Sequence, residues 1–453
     1  MEPKQEYDGR SSSNIYYLRK PDDKNFKVLN NKPNDNKNKK NQKSEDEFVL
    51  VEDYIAKNLP ADPIYCLRPK YLKKAVNFFS KNFIAKKNPT NILYSVKSNP
   101  DKQVLQYLYD FGIRHFDVAS LNEIKLIHEL FADKVKMSFM HPIKSPESIF
   151  QAYYNYNIKD FSLDSFDELE KILRITNNAK DLGLHIRLSI PNSHSAIDLS
   201  GKFGILPSES VSLLRKTRAS SAKLGICFHV GSQCLEPVEY RNAIMITKEV
   251  LENSKVNIDV LDIGGGFPTV YPSMTPPNLQ CYFDEIFDSI NQLNLSPNCQ
   301  IWCEPGRALV ADSGSLIVRV EGRKNQMLYI NDGTYGGLFD AGYPAFIYHT
   351  KAWRVSDKSK NFHHDLSSNK IPFGFYGPTC DSLDTMKGPF YLPENISAGD
   401  YIEIFQLGAY SKSIRTDFNG FNNALQIEVI DEPIESIYNY NSQEKKSTIS
   451  NIL

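Results

Sequence analysis

The stretch NILYSVK at residues 91–97, followed by Ser98, Asn99 and Pro100, decides how the rest of the chain is read. It is an apolar, β-branched run of strand length that ends on a lysine. A lysine there closes a buried strand instead of facing water along it. Burial disfavours an ammonium ion and lowers its pKa, which would suit Lys97 to act as a nucleophilic amine. A strand-end lysine that merely snorkels to solvent has the same sequence pattern, so its chemistry depends on what else the chain holds.

Outward from residues 92–97, seven further runs of the same kind recur at 115–118, 135–140, 160–163, 184–190, 224–230, 258–263 and 301–304. Most of the intervals hold an amphipathic segment of helix length. Two open on capping boxes, SLNE at 120–123 and SFDE at 165–168. Eight β-α units in series predict an α/β fold, a (β/α)8 TIM-like barrel. Beyond Ala308 turn-punctuated strand segments take over to about Val429 and predict a second, mainly β domain.

The expected division is a leader at 1–47, a short contribution to the β domain at 48–68, the barrel at 69–308, the β domain at 309–430 and a flexible tail at 431–453. The leader is Asn- and Lys-rich, above all at 30–47, and has too little apolar surface to offset the entropy of ordering, so disorder is expected. The tail is polar in the same way and is expected to fray.

Composition excludes several classes. At 453 residues the chain can hold a large barrel plus a smaller module. Hydrophobic residues at 41% and a formal net charge of -1 describe a globular protein without the basic surplus that nucleic acid attracts. The longest apolar stretches are strand-sized, so no membrane span is expected. The seven cysteines are odd in number and lack C-x-x-C spacing, which predicts a reducing, cytoplasmic setting without a metal site. No basic segment followed by an apolar one opens the chain, so no secretory signal is expected.

In such a barrel chemistry belongs at the ends of strands, on the C-terminal face. Lys97 ends the first run, Asp117 the second, and Arg187 lies in the fifth. His229 ends the sixth, Gly264, Gly265 and Gly266 follow the seventh, and Glu304, Gly306 and Arg307 follow the eighth. Each also has an ordinary reading: a core histidine, a tight turn, a surface ion pair. Three glycines after an apolar strand can instead bare backbone amides for a phosphate, although they form no GxGxxG fingerprint. An arginine in the loop after the eighth strand can give charge-assisted hydrogen bonds to phosphate oxygens.

An imine-forming lysine, a glycine loop for a phosphate and a carboxylate able to keep a ring nitrogen protonated are the three parts that pyridoxal phosphate needs. With them the chain resembles the ornithine decarboxylase branch of the barrel-type pyridoxal-phosphate decarboxylases. That family also holds diaminopimelate, arginine and carboxynorspermidine decarboxylases, and shares its barrel with alanine racemase. The resemblance spans about residues 48–430 and many motifs.

The resemblance implies Lys97 in YSVKSN as the Schiff-base lysine and His229 in HVGS as the imidazole stacked on the cofactor ring. It implies Ser232, the glycines 264–266, Gly306, Arg307 and Tyr410 in GAYS as the phosphate site, and Glu304 in EPGR as the partner of the pyridine nitrogen. Asp117 and Glu123 in FDVASLNE, together with Arg187, are implied as further cofactor contacts.

GPTCDSLD at 377–384 resembles the family's cysteine loop, in which Cys380 gives a proton to the substrate carbon and Asp381 meets the distal amine. Taken alone, Cys380 would read as a buried structural thiol. The resemblance further implies that this loop reaches the site of a neighbouring subunit, with Lys202 in GKFG and Asp384 as an ion pair across a homodimer.

The implied reaction is decarboxylation of the basic amino acid L-ornithine to putrescine and carbon dioxide. One departure leaves lysine, a dual preference or another basic amino acid open. After NDGTY at 331–335, where the animal-type pattern has a Tyr-Asp pair, this chain reads GGLFDAGYPAF, with Tyr343 followed by Pro344. Asp340, with Tyr343, is expected to supply the missing contact to the distal ammonium. Diaminopimelate is disfavoured because Asp381 would repel a second carboxylate. Alanine racemase has no expected use for the CDSLD loop. An inactive, antizyme-inhibitor-like binding homologue predicts loss of the lysine, the cysteine or the phosphate ligands, and all are present.

Overall fold

The computed structural model describes residues 49–191, 195–197, 201–355 and 365–439. The leader expected at 1–47 and the tail beyond 439 lie outside the described residues. Eight parallel strands close into a barrel: β1 Thr90–Ser95, β2 His115–Val118, β3 Lys136–Phe139, β4 Asp160–Leu163, β5 Gly183–Arg187, β6 Lys223–Cys227, β7 Val260–Asp262 and β8 Gln300–Cys303. All eight expected runs supply a strand. The ring closes where Ile301, Trp302 and Cys303 of β8 pair with Thr90, Asn91 and Ile92 of β1.

The strands form because short apolar runs buried on both faces alternate with helices that cap well. Ser120 Oγ and Ser165 Oγ each accept the backbone N–H three residues on, from Glu123 and Glu168, both at 3.2 Å. Inside the barrel, Leu93, Val260 and Trp302 form a small apolar cluster, and the rings of His115 and His185 lie 5.0 and 4.9 Å from the Trp302 ring. This packing fills the interior, so only the mouth at the strands' C-terminal ends is left open for ligand.

Beyond the barrel an eight-stranded sheet runs in the order Thr350–Trp353, Tyr401–Ile404, Gly314–Lys324, Met327–Ile330, Lys370–Tyr376 and Thr385–Pro393. Ile64–Leu67 joins it from the other end of the chain, antiparallel to residues 314–317 and parallel to Leu425–Glu428. Next to it Arg68 Nη2 meets Glu403 Oε1 at 2.5 Å with both side chains 1% exposed.

The expectation of a fraying tail from residue 431 is corrected for residues 431–439. Asp431 accepts from Val51 N and Arg68 Nε, Ser436 Oγ donates to Asp312, and Tyr438 donates to the Ala308 carbonyl. Ile437 is buried among them. A polar composition had concealed two apolar anchors, Ile437 and Tyr438.

Candidate active site

A cavity of about 540 Å³ opens at the barrel mouth, and Lys97, Asp117, Arg187, His229, Ser232 and Glu304 are on its wall. A narrow extension adds Gly265, Gly266, Gly306 and Arg307, with Tyr410 lining both parts. Apart from Tyr410, these residues come from six different barrel-strand ends, which only ring closure brings together.

Lys97 does not itself end β1. The strand stops at Ser95, and Val96–Ser98 form a 3₁₀ turn that lifts the lysine into the mouth. Its Nζ donates to Asp117 Oδ2 at 2.8 Å, and Ser95 Oγ donates to the same oxygen at 2.8 Å. The expected fall in its pKa is corrected. Desolvation does pull the ammonium down, but its ion pair with the Asp117 carboxylate, with Tyr410 and Glu304 also near, outweighs it and holds the group above the ordinary lysine range. Its side chain remains 43% exposed, so the amine is both reachable and charged.

His229 lies two residues past the end of β6, and its Nδ1 accepts the Gly231 N–H at 3.0 Å. Burial, with Arg187 and Lys97 nearby, pushes its pKa well below the usual value. It is therefore a neutral imidazole with its proton on Nε2.

Glu304 follows β8 and is pushed well above the usual carboxylate range by burial and then by the charges of Asp262 and Asp117, while Lys97 and Arg187 oppose the shift. Its Oε1 is buried with no hydrogen-bond partner among the described residues. Asp262 ends β7, is likewise raised by burial, and accepts the Gly264 N–H at 2.9 Å. Two buried carboxylates so placed keep a proton that isolated ones would lose.

At the narrow end Arg307 donates through Nη1 to Tyr271 Oη at 2.8 Å and through Nη2 to Ser232 Oγ at 3.4 Å. Its guanidinium carbon lies 4.9 Å from the Tyr410 ring centre. The glycine loop is fixed from its other side, where Tyr240 Oη donates to Gly265 O and Cys234 N to Gly266 O, both at 2.9 Å. Gly266 has φ +105°, and a Cβ on Gly265 would stand 2.6 Å from the Glu304 carbonyl and 3.1 Å from His229 Nε2. Side chains are excluded from this loop, and backbone forms the surface a ligand meets.

Several expected contacts lie elsewhere. Glu123 is not on the cavity wall: its carboxylate accepts the Ala119 N–H at 2.6 Å at the start of its own helix. Asp340, expected at the substrate's distal amine, is 5% exposed and pairs with Arg307 at 3.3 Å. Its short helix Phe339–Gly342 aims it at the arginine. Tyr343 is 76% exposed and does not line the cavity.

The ion pair between Lys202 and Asp384 is not formed within the chain. Asp384, 2% exposed, accepts instead from the backbone and hydroxyl of both Thr334 and Thr379. Lys202 lines the cavity, with Nζ 5.0 Å from the Phe203 ring centre. Cys380 is exposed on the sheet domain away from Lys97, and the neighbouring Asp381 accepts from Tyr335 Oη at 2.5 Å. One chain therefore does not bring the cysteine loop to its own lysine.

Sequence reasoning missed Ser95, Asp262, Tyr271, His141 and Phe203. Ser95 and Asp262 sit at strand ends, where a polar residue in an apolar run could have flagged them. His141 and Phe203, whose ring centres are 5.1 Å apart, occupy loops after β3 and β5 that carry no such signal.

These groups fit pyridoxal phosphate. The partnerless Oε1 of Glu304 suits a ring N–H, neutral His229 suits the face of an aromatic ring, and the cradle of Gly265, Gly266, Ser232 and Arg307 suits a phosphate. Among the described residues no cluster of three or more His, Cys, Asp or Glu could hold a metal ion, and no helix is long and apolar enough to cross a membrane.

A family model described as "Pyridoxal-dependent decarboxylase, pyridoxal binding domain" matches residues 70–311. A lysine/ornithine decarboxylase from Selenomonas ruminantium is 31% identical, covering 76% of this chain and 84% of that protein. Antizyme inhibitor 2 from Xenopus laevis is also 31% identical, covering 73% and 74%. The crystal structure of a lysine/ornithine decarboxylase from Vibrio vulnificus complexed with cadaverine is similar with a TM-score of 0.69 at 26% identity, covering 84% of this chain and 98% of that one.

Proposed function

Given that the chain belongs to the pyridoxal-dependent decarboxylases, a family acting on basic amino acids with pyridoxal phosphate as cofactor, we propose that it converts L-ornithine to putrescine and carbon dioxide. We place this reaction in polyamine synthesis, in the cytoplasm, and in a homodimer whose two sites are shared. One observation carries the reading: a reachable lysine amine and a partnerless buried carboxylate face one cavity that narrows to an arginine.

When bound, the cofactor supplies a sink for the electrons left on Cα as carbon dioxide departs. Every other role falls to the chain. Lys97 offers the amine, and Asp117, 2.8 Å away, fixes its direction. Glu304 holds a proton at its carboxylate for the ring nitrogen and so keeps the sink effective. The neutral ring of His229 covers one face and excludes water from it. Arg307, Ser232 and the glycine loop anchor the phosphate.

Cys380 is exposed on its own chain, and a second copy would present it to Cα as the proton donor. Asp381 from the same loop would accept the distal ammonium. Its tie to Tyr335 fixes the direction of the carboxylate before substrate arrives. The seven cysteines are all free thiols, in keeping with a reducing compartment.

Two relatives favour a second reading each. The lysine/ornithine decarboxylase favours a dual substrate range, and the antizyme inhibitor favours a binding homologue without activity. The experiment that separates them measures carbon dioxide release from the cofactor-loaded protein with ornithine, lysine, arginine, diaminopimelate and carboxynorspermidine in parallel. Ornithine should be fastest. Equal or faster release from lysine moves the assignment to the dual reading, and no release from any of them moves it to the inactive homologue.

A further inference from the structure

Arg307 has a second carboxylate-sized claim on it. Its Nη2 donates both to Ser232 Oγ at 3.4 Å and to Asp340 Oδ2 at 3.3 Å, and the arginine and aspartate side chains are only 4% and 6% exposed. The narrow end of the cavity is lined by Arg307 and Ser232 and not by Asp340, so the aspartate pairs from behind that lining with the same Nη2 that meets Ser232. The charged and titratable groups that act on it are Arg307, Tyr271 and Tyr348. Asp340 is held in place through its own carbonyl, which accepts the Phe346 N–H at 2.7 Å.

A buried carboxylate beside a phosphate-binding arginine can do one of two things. It can orient the guanidinium, which strengthens phosphate binding, or it can neutralise it in advance, which weakens binding. Orientation is already secured without it: Tyr271 Oη takes Nη1 at 2.8 Å, and the guanidinium carbon lies 4.9 Å from the Tyr410 ring centre and 5.3 Å from that of Phe346. The charge effect is left. A phosphate dianion arriving at Arg307 meets a like charge already paired with the same guanidinium nitrogen, in a setting that screens poorly.

We propose that Asp340 is a charge-balancing residue that weakens the hold of Arg307 on the cofactor's phosphate, so that the cofactor binds exchangeably. This rests on assigning the phosphate to the Arg307 end of the cavity. Atoms of the reaction are untouched by it; the inference concerns affinity alone.

The test titrates the full-length, cofactor-depleted chain with pyridoxal phosphate and with phosphate-free pyridoxal, followed by absorbance. Asp340→Asn should tighten pyridoxal phosphate by roughly ten- to a hundredfold, as expected for removing one buried like charge, and leave pyridoxal unchanged. Unchanged or weaker binding of pyridoxal phosphate would overturn the proposal. Ser232→Ala serves as the control for the assignment beneath it, since it should weaken pyridoxal phosphate but not pyridoxal. If Ser232→Ala has no effect, the phosphate site is misplaced; if it weakens binding while Asp340→Asn does nothing, only the role of Asp340 fails. Asp340→Ser is run beside Asp340→Asn, each checked by circular dichroism. Loss of fold in both would give Asp340 a structural role and would also overturn the proposal.

Discussion

Lys97 Nζ lies 2.8 Å from Asp117 Oδ2, and that one oxygen also receives the Ser95 hydroxyl. The lysine of the 3₁₀ turn after β1 is therefore kept charged by its neighbours, against the pull of desolvation. Removing the aspartate should reverse the balance. Asp117→Asn is expected to lower the Lys97 pKa by about 1–3 units, the usual effect of losing a close opposite charge. The measurement is the pH dependence of the rate at which Lys97 reacts with pyridoxal. A midpoint that stays where the wild type has it would show that Asp117 does not govern the amine.

Glu304 gives a prediction with the opposite sign. Its folded-state pKa is raised by burial and by the neighbouring Asp262, so the stabilisation it brings is present below its unfolded value and is lost as pH rises through the folded one. Glu304→Gln removes a carboxyl that the cofactor-free chain keeps from ionising at a cost as pH rises. Its thermal midpoint without cofactor should exceed the wild type's at pH 8, with the gap shrinking toward pH 5. With cofactor, turnover should fall by roughly 10²–10³-fold, the scale seen when one positioned electrostatic group is removed. Equal midpoints at pH 8 would contradict the burial argument, and undiminished turnover would contradict the proposed partner of the ring nitrogen.

The fold was legible because hydrophobic period and capping chemistry are local properties. Each of the eight runs needed only its own residues to become a strand, and Ser120 and Ser165 cap their helices as spelled, although Glu123 and Glu168 accept from Ala119 N and Lys144 N instead of closing the boxes. Lys97, Asp117, His229 and Glu304 were legible for a related reason, since the end of a barrel strand is by itself an address at the mouth. What sequence order could not convey was direction across space. Asp340 was placed at the substrate, but its short helix aims it at Arg307. The charge of Lys97 was misjudged because burial was visible in the pattern, whereas the convergence of three oxygen-bearing groups on it was not.

A shared site makes the two halves of the chemistry separable. Lys97→Ala and Cys380→Ala chains are each expected to be nearly inactive alone. Mixed after dissociation, half the dimers are hybrids, and each hybrid holds one site built from the intact lysine of one copy and the intact cysteine loop of the other. Recovery should approach about 25% of the wild-type rate, as random pairing of two-fold dimers requires. Absence of any recovery, with hybrid dimers verified by native mass spectrometry, would mean that the cysteine loop does not serve a neighbouring copy.

The segment 431–439 ties the end of the described chain to the short helix that begins with Arg307. Asp312, at the end of that helical stretch, accepts from Thr269 Oγ1, from Ser436 Oγ at 2.7 Å and from Ile437 N at 3.1 Å. Burial raises its pKa, and these donors hold it down. Ser436→Ala deletes one donor from a buried carboxylate and should cost about 1–3 kcal/mol of folding stability near neutral pH. The sign with pH follows from the raised folded-state value. With a donor gone that value rises further, so stability is lost over a wider window as pH increases, and the deficit of the variant should be larger at pH 7 than at pH 4. Urea unfolding of both proteins at the two pH values reads this directly. A deficit that is equal at both, or larger at pH 4, would show that the segment holds Asp312 by packing of Ile437 and Tyr438 alone.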